Sequence, residues 1–416
     1  MRFFYTTAIY LYYWVIYIAS PFNPKAKAWK EGRKNWVTRL KKQLKNIENP
    51  VIIHCASLGE YEQGRVLIEK IKKEEPSTSV VLTFFSPSGY EVKKNDPVAD
   101  LVTYIPLDTP KQIKLFLEIL SPKSVLFIKY EYWYNLMHQL TKRKIPFYYI
   151  SAIYRPEQVF FKWYGFWFVK QLRKCSHFFV QDPRSKQLLQ SLNITQVSVT
   201  GDTRFDRVYQ ISQSVALLPY MEQFKSTYRL MVGGSTWPQD EQLLLAWFKK
   251  YKEDYKLVIA PHEANPERIE AIATLINEFK VVRYTEHQEV DLNSAEVLIV
   301  DTIGQLSKIY RYADFAFIGG AFGSGLHNIL EAAVFGVPLF FGPKYHKFKE
   351  ARDLIALQGA ISISGTESFL EQFQIIDQDP EEYRKRSRIC SAYVTASKGA
   401  ADQIYQSIFG DSESVL

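Results

Sequence analysis

The chain has 416 residues, of which 47% are hydrophobic and 23% charged, a balance that excludes intrinsic disorder and suffices for two domains of ordinary size. Its formal net charge of +8 fits anionic partners, and the placement of the cations favours lipids or phosphorylated substrates over nucleic acid. Three widely separated cysteines, Cys55, Cys175 and Cys390, have no CxxC or Cys/His spacing, which argues against a disulfide framework or structural zinc and for a reducing compartment.

No charged residue occurs from Phe3 to Pro24, a stretch crowded with Tyr and Trp. Its length is marginal for a spanning helix, and tyrosine prefers the membrane interface, so residues 1–24 read as an anchor. Lys25, Lys27, Lys30, Arg33, Lys34, Arg39, Lys41, Lys42 and Lys45 follow, interrupted only by Glu31. Such a cluster beside an apolar stretch suits an anionic cytoplasmic leaflet. A secretory signal peptide and a core helix are the alternatives. The first is weakened by the missing small-x-small cleavage site and by the cations after the apolar run.

Past Pro50 the pattern alternates between strand and helix. Val51–His54, Val80–Phe85, Leu101–Ile105, Ser124–Ile128, Phe147–Ser151 and His177–Val180 read as strands, with helices between most of them. Ala56-Ser57-Leu58-Gly59-Glu60 follows the first strand, and a helix is expected over Gln63–Lys73. A second α/β domain begins near Arg229. Its strands are expected at Leu230–Gly234, Lys256–Ala260, Val281–Arg283, Glu296–Val300, Asp314–Ile318 and Pro338–Phe341. The expected division is an anchor (1–24), an N-terminal domain (25–205), a linker (206–228), a C-terminal domain (229–395) and a terminal helix (396–416) that can return to the first domain. Two parallel sheets of this kind put ligands beyond their strands' carboxyl ends, in a cleft between domains.

The Gly319-Gly320-Ala-Phe-Gly-Ser-Gly-Leu-His327-Asn328-Ile-Leu-Glu331 stretch joins a buried strand to a helical segment. Glycines there admit a close backbone approach, and helix-start amides favour an anion, although glycine turns also serve plain packing. His327 and Glu331, four residues apart, are expected on one helix face. Ser235 and Thr236, at another strand-to-helix turn, can hold phosphate oxygens or cap the helix. Cys55 reads as a small buried thiol and not as a nucleophile.

Taken in order, these stretches resemble the 3-deoxy-D-manno-octulosonic acid (Kdo) transferases of lipopolysaccharide assembly. The resemblance runs over almost the whole chain: the apolar anchor with Trp29-Lys-Glu-Gly-Arg33-Lys, Ala56-Ser-Leu-Gly-Glu60, Ser86-Pro-Ser-Gly-Tyr-Glu91, Tyr104-Ile-Pro-Leu-Asp108, Glu131-Tyr-Trp133-Tyr-Asn135, Gly201-Asp-Thr-Arg204-Phe-Asp206, Gly234-Ser-Thr236, Ala260-Pro-His262-Glu263 with Pro266-Glu-Arg268, and the glycine turn. Each motif is weak alone; their order and spacing are specific.

The resemblance implies a glycosyltransferase-B fold and an inverting transfer of Kdo from CMP-Kdo to a lipid A precursor at the cytoplasmic face of the inner membrane, with no metal or other cofactor. It makes Glu60 the catalytic base, where the residue alone would read as a carboxylate at a helix N-terminus. Donor binding falls to Ser235, Thr236, His262, Arg268, Gly319, Gly320, Asn328 and Glu331, with a surface ion pair as the alternative for Arg268. Ser57, Gly59, Glu91, Glu131 and Arg204 are candidates on the acceptor side, and Lys129 can lie near anionic substrate groups. The chain departs from the family pattern at Lys129, where an acidic residue is expected, at Tyr134 and Ala332, where prolines are, and in the longer His262 loop. The rival readings are a glycosyltransferase of the same fold using a UDP- or GDP-sugar, and a nonenzymatic, membrane-tethered protein that binds nucleotides or lipids.

Overall fold

A computed structural model describes residues 1–214, 216–323 and 325–410; Ser324 of the glycine turn and residues 411–416 of the expected terminal helix lie outside the described residues. The chain divides into two compact units, one of residues 1–207 and 398–416, the other of residues 208–397. The boundary falls inside the helix Thr203–Ser214, within the stretch read from sequence as linker.

In the first unit seven strands, β1 (Val51–Cys55), β2 (Val80–Phe84), β3 (Leu101–Tyr104), β4 (Ser124–Ile128), β5 (Phe147–Ala152), β6 (His177–Val180) and β7 (Val197–Val199), form one sheet in the order β3-β2-β1-β4-β5-β6-β7. Every described pairing in it is parallel. A parallel sheet needs a covering layer on each face, so β1, β2 and β4 are buried throughout. Ile52, Val81, Phe116, Phe127 and Tyr149 belong to one core, and Ile53, Leu67, Ile68, Leu82 and Leu126 to the other. Ala400, Ala401, Ile404 and Tyr405 of the helix Ala400–Phe409 complete the second core. Gly399 opens that helix with φ +107, and its N–H donates to Asp206 at 2.7 Å. Neighbouring strands β1 and β4 lead into connections that run in opposite directions across the sheet. Their carboxyl ends therefore form a topological switch point.

The second unit repeats the plan. Its strands β8 (Arg229–Thr236), β9 (Tyr255–Pro261), β10 (Val281–Arg283), β11 (Val297–Ile299), β12 (Phe315–Ile318), β13 (Leu339–Phe341) and β14 (Ala360–Ser362) are ordered β10-β11-β9-β8-β12-β13-β14. Here β11 lies between β9 and β10, and the switch point falls between β8 and β12.

The apolar N-terminal stretch is a helix, Arg2–Ala19, packed on the first unit. Tyr5 donates its hydroxyl to Asp108 at 2.7 Å, Arg2 donates to Asn135 at 2.9 Å, and Tyr12 stacks on Phe85. Phe4, Leu11, Val15 and Ile18 point outward and are exposed. Among the described residues no helix is long and apolar enough to cross a membrane. The cationic run is not uniform either. The Arg33 guanidinium bonds the carbonyls of Phe85, Ile105 and Trp29, lies over the rings of Trp29 and Tyr104, and has its pKa lowered to about 9 by burial. Arg33 is thus part of the fold, whereas Lys25, Lys27, Lys34, Lys41, Lys42 and Lys45 are exposed.

Candidate functional site

At the first switch point the helix after β1 is longer than its sequence pattern predicts, running Leu58–Glu74 with Ser57 as N-cap. Glu60 therefore occupies the third helical position, and its carboxylate turns back to accept the N–H of Ala56 at 2.5 Å. This bond to the residue before the N-cap fixes the side chain at the strand end. Burial and, next, the charge of Glu131 push the Glu60 carboxyl up to about 7, against the opposing pull of the Ala56 and Ser57 amides and of Lys129. A carboxyl held there is poised to accept a proton near neutral pH.

Glu131 comes from the turn after β4. Its Oε2 accepts from the Trp133 indole at 2.7 Å and lies 3.2 Å from His54 Nε2. His54 is fully buried on β1, and its other ring nitrogen is 2.9 Å from the Thr83 hydroxyl. Lys129 has φ +60 and faces the same groups. The lysine that departs from the expected acidic pattern thus opposes the burial of Glu60. Burial would raise the Asp202 carboxyl, but Arg204, Lys129 and bonds from the Arg204 amide and Gln63 hold it below its usual range. Arg204 Nε reaches Asp202 at 2.8 Å. Tyr130 stands among these groups: burial raises its phenol, while the charges of Arg155 and Arg204 act in the other direction.

Ser57 caps the helix through its position, without a side-chain cap bond. Gly59 is open: an added Cβ would find only the Ser57 hydroxyl, at 4.0 Å. Glu91 lies apart from this cluster in an exposed pair with Lys94 at 2.8 Å. The Cys55 thiol is buried and pushed far up by burial, which makes it a core group. Sequence reading passed over His54, Gln63 and Asp202. A histidine inside the apolar run Val51–Cys55 is the one signal that could have flagged the first of them.

At the second switch point, Gly319 pairs with the end of β8 through its N–H to Gly234 O at 2.9 Å. The Gly320 N–H donates to Asp240 at 3.0 Å, and Asp240 also accepts the Trp237 N–H at 2.9 Å. Both glycine amides are thus engaged inside the fold. A Cβ on Gly319 would come within 2.3 Å of Ser235 O, and Gly320 has φ +92, so close approach of β8 to this turn requires both glycines. The helix that follows is only Leu330–Ala333. His327 and Asn328 precede it outside any helix, which corrects the expectation that His327 and Glu331 share a helix face. The loop is held open by Asn328, whose side chain accepts the Leu330 N–H at 3.2 Å and donates to Glu331 at 2.9 Å.

His327 instead joins a ring stack. Its ring lies 4.2 Å from that of His262, which in turn lies 5.1 Å from the Trp237 ring. The Trp237 indole donates to His327 Nε2 at 3.1 Å, which puts the neutral ring's proton on Nδ1. Burial first and His262 second lower the His327 pKa to about 4. Thr236 is buried and donates its hydroxyl to Glu241 at 2.9 Å, so that hydroxyl is engaged inside the unit. Ser235, with φ +51, is half-buried at the end of β8. Arg268 pairs with the buried Glu241, which makes its ion pair an anchored one and not the surface pair that was the alternative. Among the described residues no His, Cys, Asp and Glu side chains gather as a set that could hold a metal ion.

Residues 31–207 match the family model described as 3-deoxy-D-manno-octulosonic-acid transferase (kdotransferase). The chain is 27% identical over 343 residues to the 3-deoxy-D-manno-octulosonic acid transferase of Haemophilus influenzae, an alignment covering 77% of each protein. It is also 27% identical over 327 residues to the enzyme of the same name from Aquifex aeolicus, covering 77% of this chain and 83% of that one. Among solved structures, the UDP-GlcNAc 2-epimerase of Neisseria meningitidis superposes with a TM-score of 0.63 at 18% identity, over 87% of this chain and all of that one. That likeness establishes a fold of two parallel-sheet α/β domains of the glycosyltransferase-B kind.

Proposed function

We propose that this chain, which belongs to the 3-deoxy-D-manno-octulosonic acid transferase family and is a glycosyltransferase, moves Kdo from CMP-Kdo to a lipid A precursor with inversion at the anomeric carbon. The observation that carries the reading is Glu60, fixed at the switch point of the first unit with its carboxyl near 7. In the reaction the acceptor hydroxyl attacks the anomeric carbon, its proton passes to the Glu60 carboxylate, and the bond to phosphate breaks with its electron pair leaving on CMP. Open space at Gly59 lets an acceptor reach this carboxylate. Lys129, Arg155 and Arg204 supply positive charge for its phosphates.

Donor binding is assigned to the second unit, at the ends of β8, β9 and β12. The Ser235 hydroxyl, the His262–His327 stack, Asn328 and Glu331 are the groups assigned to phosphate and ribose. Membrane attachment is assigned to the N-terminal helix. Its outward Phe4, Leu11, Val15 and Ile18 and the exposed lysines that follow suit a helix lying in the interface of an anionic leaflet. That attachment supports a location at the cytoplasmic face of the inner membrane as part of the same proposal.

The test is an assay with CMP-Kdo generated in situ and a tetra-acylated lipid A precursor, read by the mass added to the lipid. Gain of one or more Kdo masses is expected. Calorimetry with CMP, UMP and GDP separates the donor classes, and a preference for UMP or GDP would remove the Kdo reading.

A further inference from the structure

Between β5 and β6 the first unit carries two short 3-10 turns, Val159–Phe161 and Trp163–Gly165, followed by the helix Phe166–Leu172. On its inner side this segment is well anchored. Phe160 packs against Tyr132 with ring centroids 4.7 Å apart, and Trp167 and Phe168 pack against Tyr5 of the N-terminal helix. Gly165 lets the turn close, since a Cβ there would fall 1.8 Å from Val159 O.

The outer side has no comparable cover. Trp163 is 90% exposed and Phe166 56%. Both line a cavity of about 360 Å³, together with Phe161 and the cations Lys162, Lys170 and Arg173. Among the described residues none of these three cations has a carboxylate partner. That volume lies at the low end of small-molecule sites, roughly 300–1,000 Å³, and suits a single slender chain. Large exposed apolar groups rimmed by cations mark an interaction surface, and tryptophan beside lysine is a pairing favoured at membrane interfaces. Continuity with the N-terminal helix through Tyr5, and the absence of acidic residues on the rim, select an anionic bilayer over a protein partner.

We propose that this cavity takes one acyl chain of an anionic bilayer phospholipid, with Lys162, Lys170 and Arg173 at its phosphate, so that the Val159–Leu172 segment is a second membrane contact. The proposal rests on the membrane attachment given above. Because Cys55, Cys175 and Cys390 are all buried, the full chain carrying Trp163→Cys can be labelled at that position with an environment-sensitive thiol dye. Vesicles of phosphatidylglycerol and phosphatidylcholine are then added, with flotation measured in parallel. A blue shift of the dye is expected, with quenching by brominated acyl chains and at least a fivefold loss of the shift on adding Lys162→Glu and Lys170→Glu. A chain that floats with its dye unshifted would overturn this contact and leave the N-terminal helix as the attachment. Failure to float would overturn both. A shift that appears on neutral vesicles only when the lipid A precursor is present would make the cavity part of the acceptor site and overturn the phospholipid assignment.

Discussion

His54 Nε2 and Glu131 Oε2 stand 3.2 Å apart at the carboxyl ends of β1 and β4, with the Trp133 indole donating to the same carboxylate oxygen. After burial, the charge of Glu131 is the second cause of the raised Glu60 carboxyl. Replacing Glu131 by Gln removes that charge while keeping a hydrogen-bonding side chain. Glu60 then ionises at lower pH. The acid limb of the pH–rate profile should move down from about 7 toward the ordinary glutamate range, measured as transfer rate against pH at saturating donor.

Glu60→Gln tests the base directly. Transfer should fall by orders of magnitude while CMP affinity stays within a fewfold of the parent; near-normal transfer would remove Glu60 from the role. Stability should move the other way. Because the folded-state pKa of Glu60 is raised from 4.5 to about 7, the folded protein binds more protons than the unfolded chain between those values, and ionisation weakens the fold as pH rises through that window. Above pH 7 the variant is therefore spared a cost of about 1–3 kcal/mol and should melt higher than the parent. At pH 4 the difference should vanish.

Gly59 sits in the first turn of the Glu60 helix with nothing in the protein crowding its Cβ position. Gly59→Ala should stabilise the fold by about 0.4–1 kcal/mol, because alanine restricts the unfolded chain. If acceptor comes through that space, transfer should drop at least tenfold in the same variant. Thermal melts and the mass-gain assay, run together, check both halves.

In the second unit, His262→Ala removes the stacked ring that helps to bury His327 and to raise its local positive potential. The His327 pKa should climb from about 4 toward 6.5, followed by proton NMR of the ring. His327 favours its neutral form when folded, so the parent loses stability as pH falls from 6.5 to 4, and the variant should lose less over that interval. CMP affinity should fall at least fivefold at pH 7.5.

Most of the fold was legible because the strands that pair on both sides are dominated by apolar residues, as in Val-Leu-Ile, Phe-Ala-Phe-Ile and Leu-Phe-Phe. Ser124–Ile128 and His177–Val180 match their predicted bounds. The strands not anticipated, β7 and β14, are three-residue edge strands, Val-Ser-Val and Ala-Ile-Ser, too short and too mixed to show a period. Glu60 could be picked out because it follows a strand end in a recognisable motif. The contacts that tune it could not: His54 is brought to Glu131 by the pairing of β1 with β4, a relation between residues 77 positions apart. The helix expected after the glycine turn is shortened for a local reason. Asp240 and Gly234 take the amides that were expected to be free, and the Asn328–Glu331 pair shortens the helix that was to carry His327.

The helix Ala400–Phe409 joins the core that β1 shares with Leu67 and Ile68, which places two parts of one hydrophobic layer on either side of the second unit in the order of synthesis. When the first unit's sheet emerges from the ribosome, Leu67 and Ile68 lack the Ile404 and Tyr405 that cover them in the finished molecule. At about 5–20 residues per second, the second unit alone delays that cover by roughly 10–40 s. During that time the nascent chain shows an apolar face that a chaperone can bind. Closure of the first unit therefore waits until the Ala400–Phe409 helix has followed the second unit out of the ribosome.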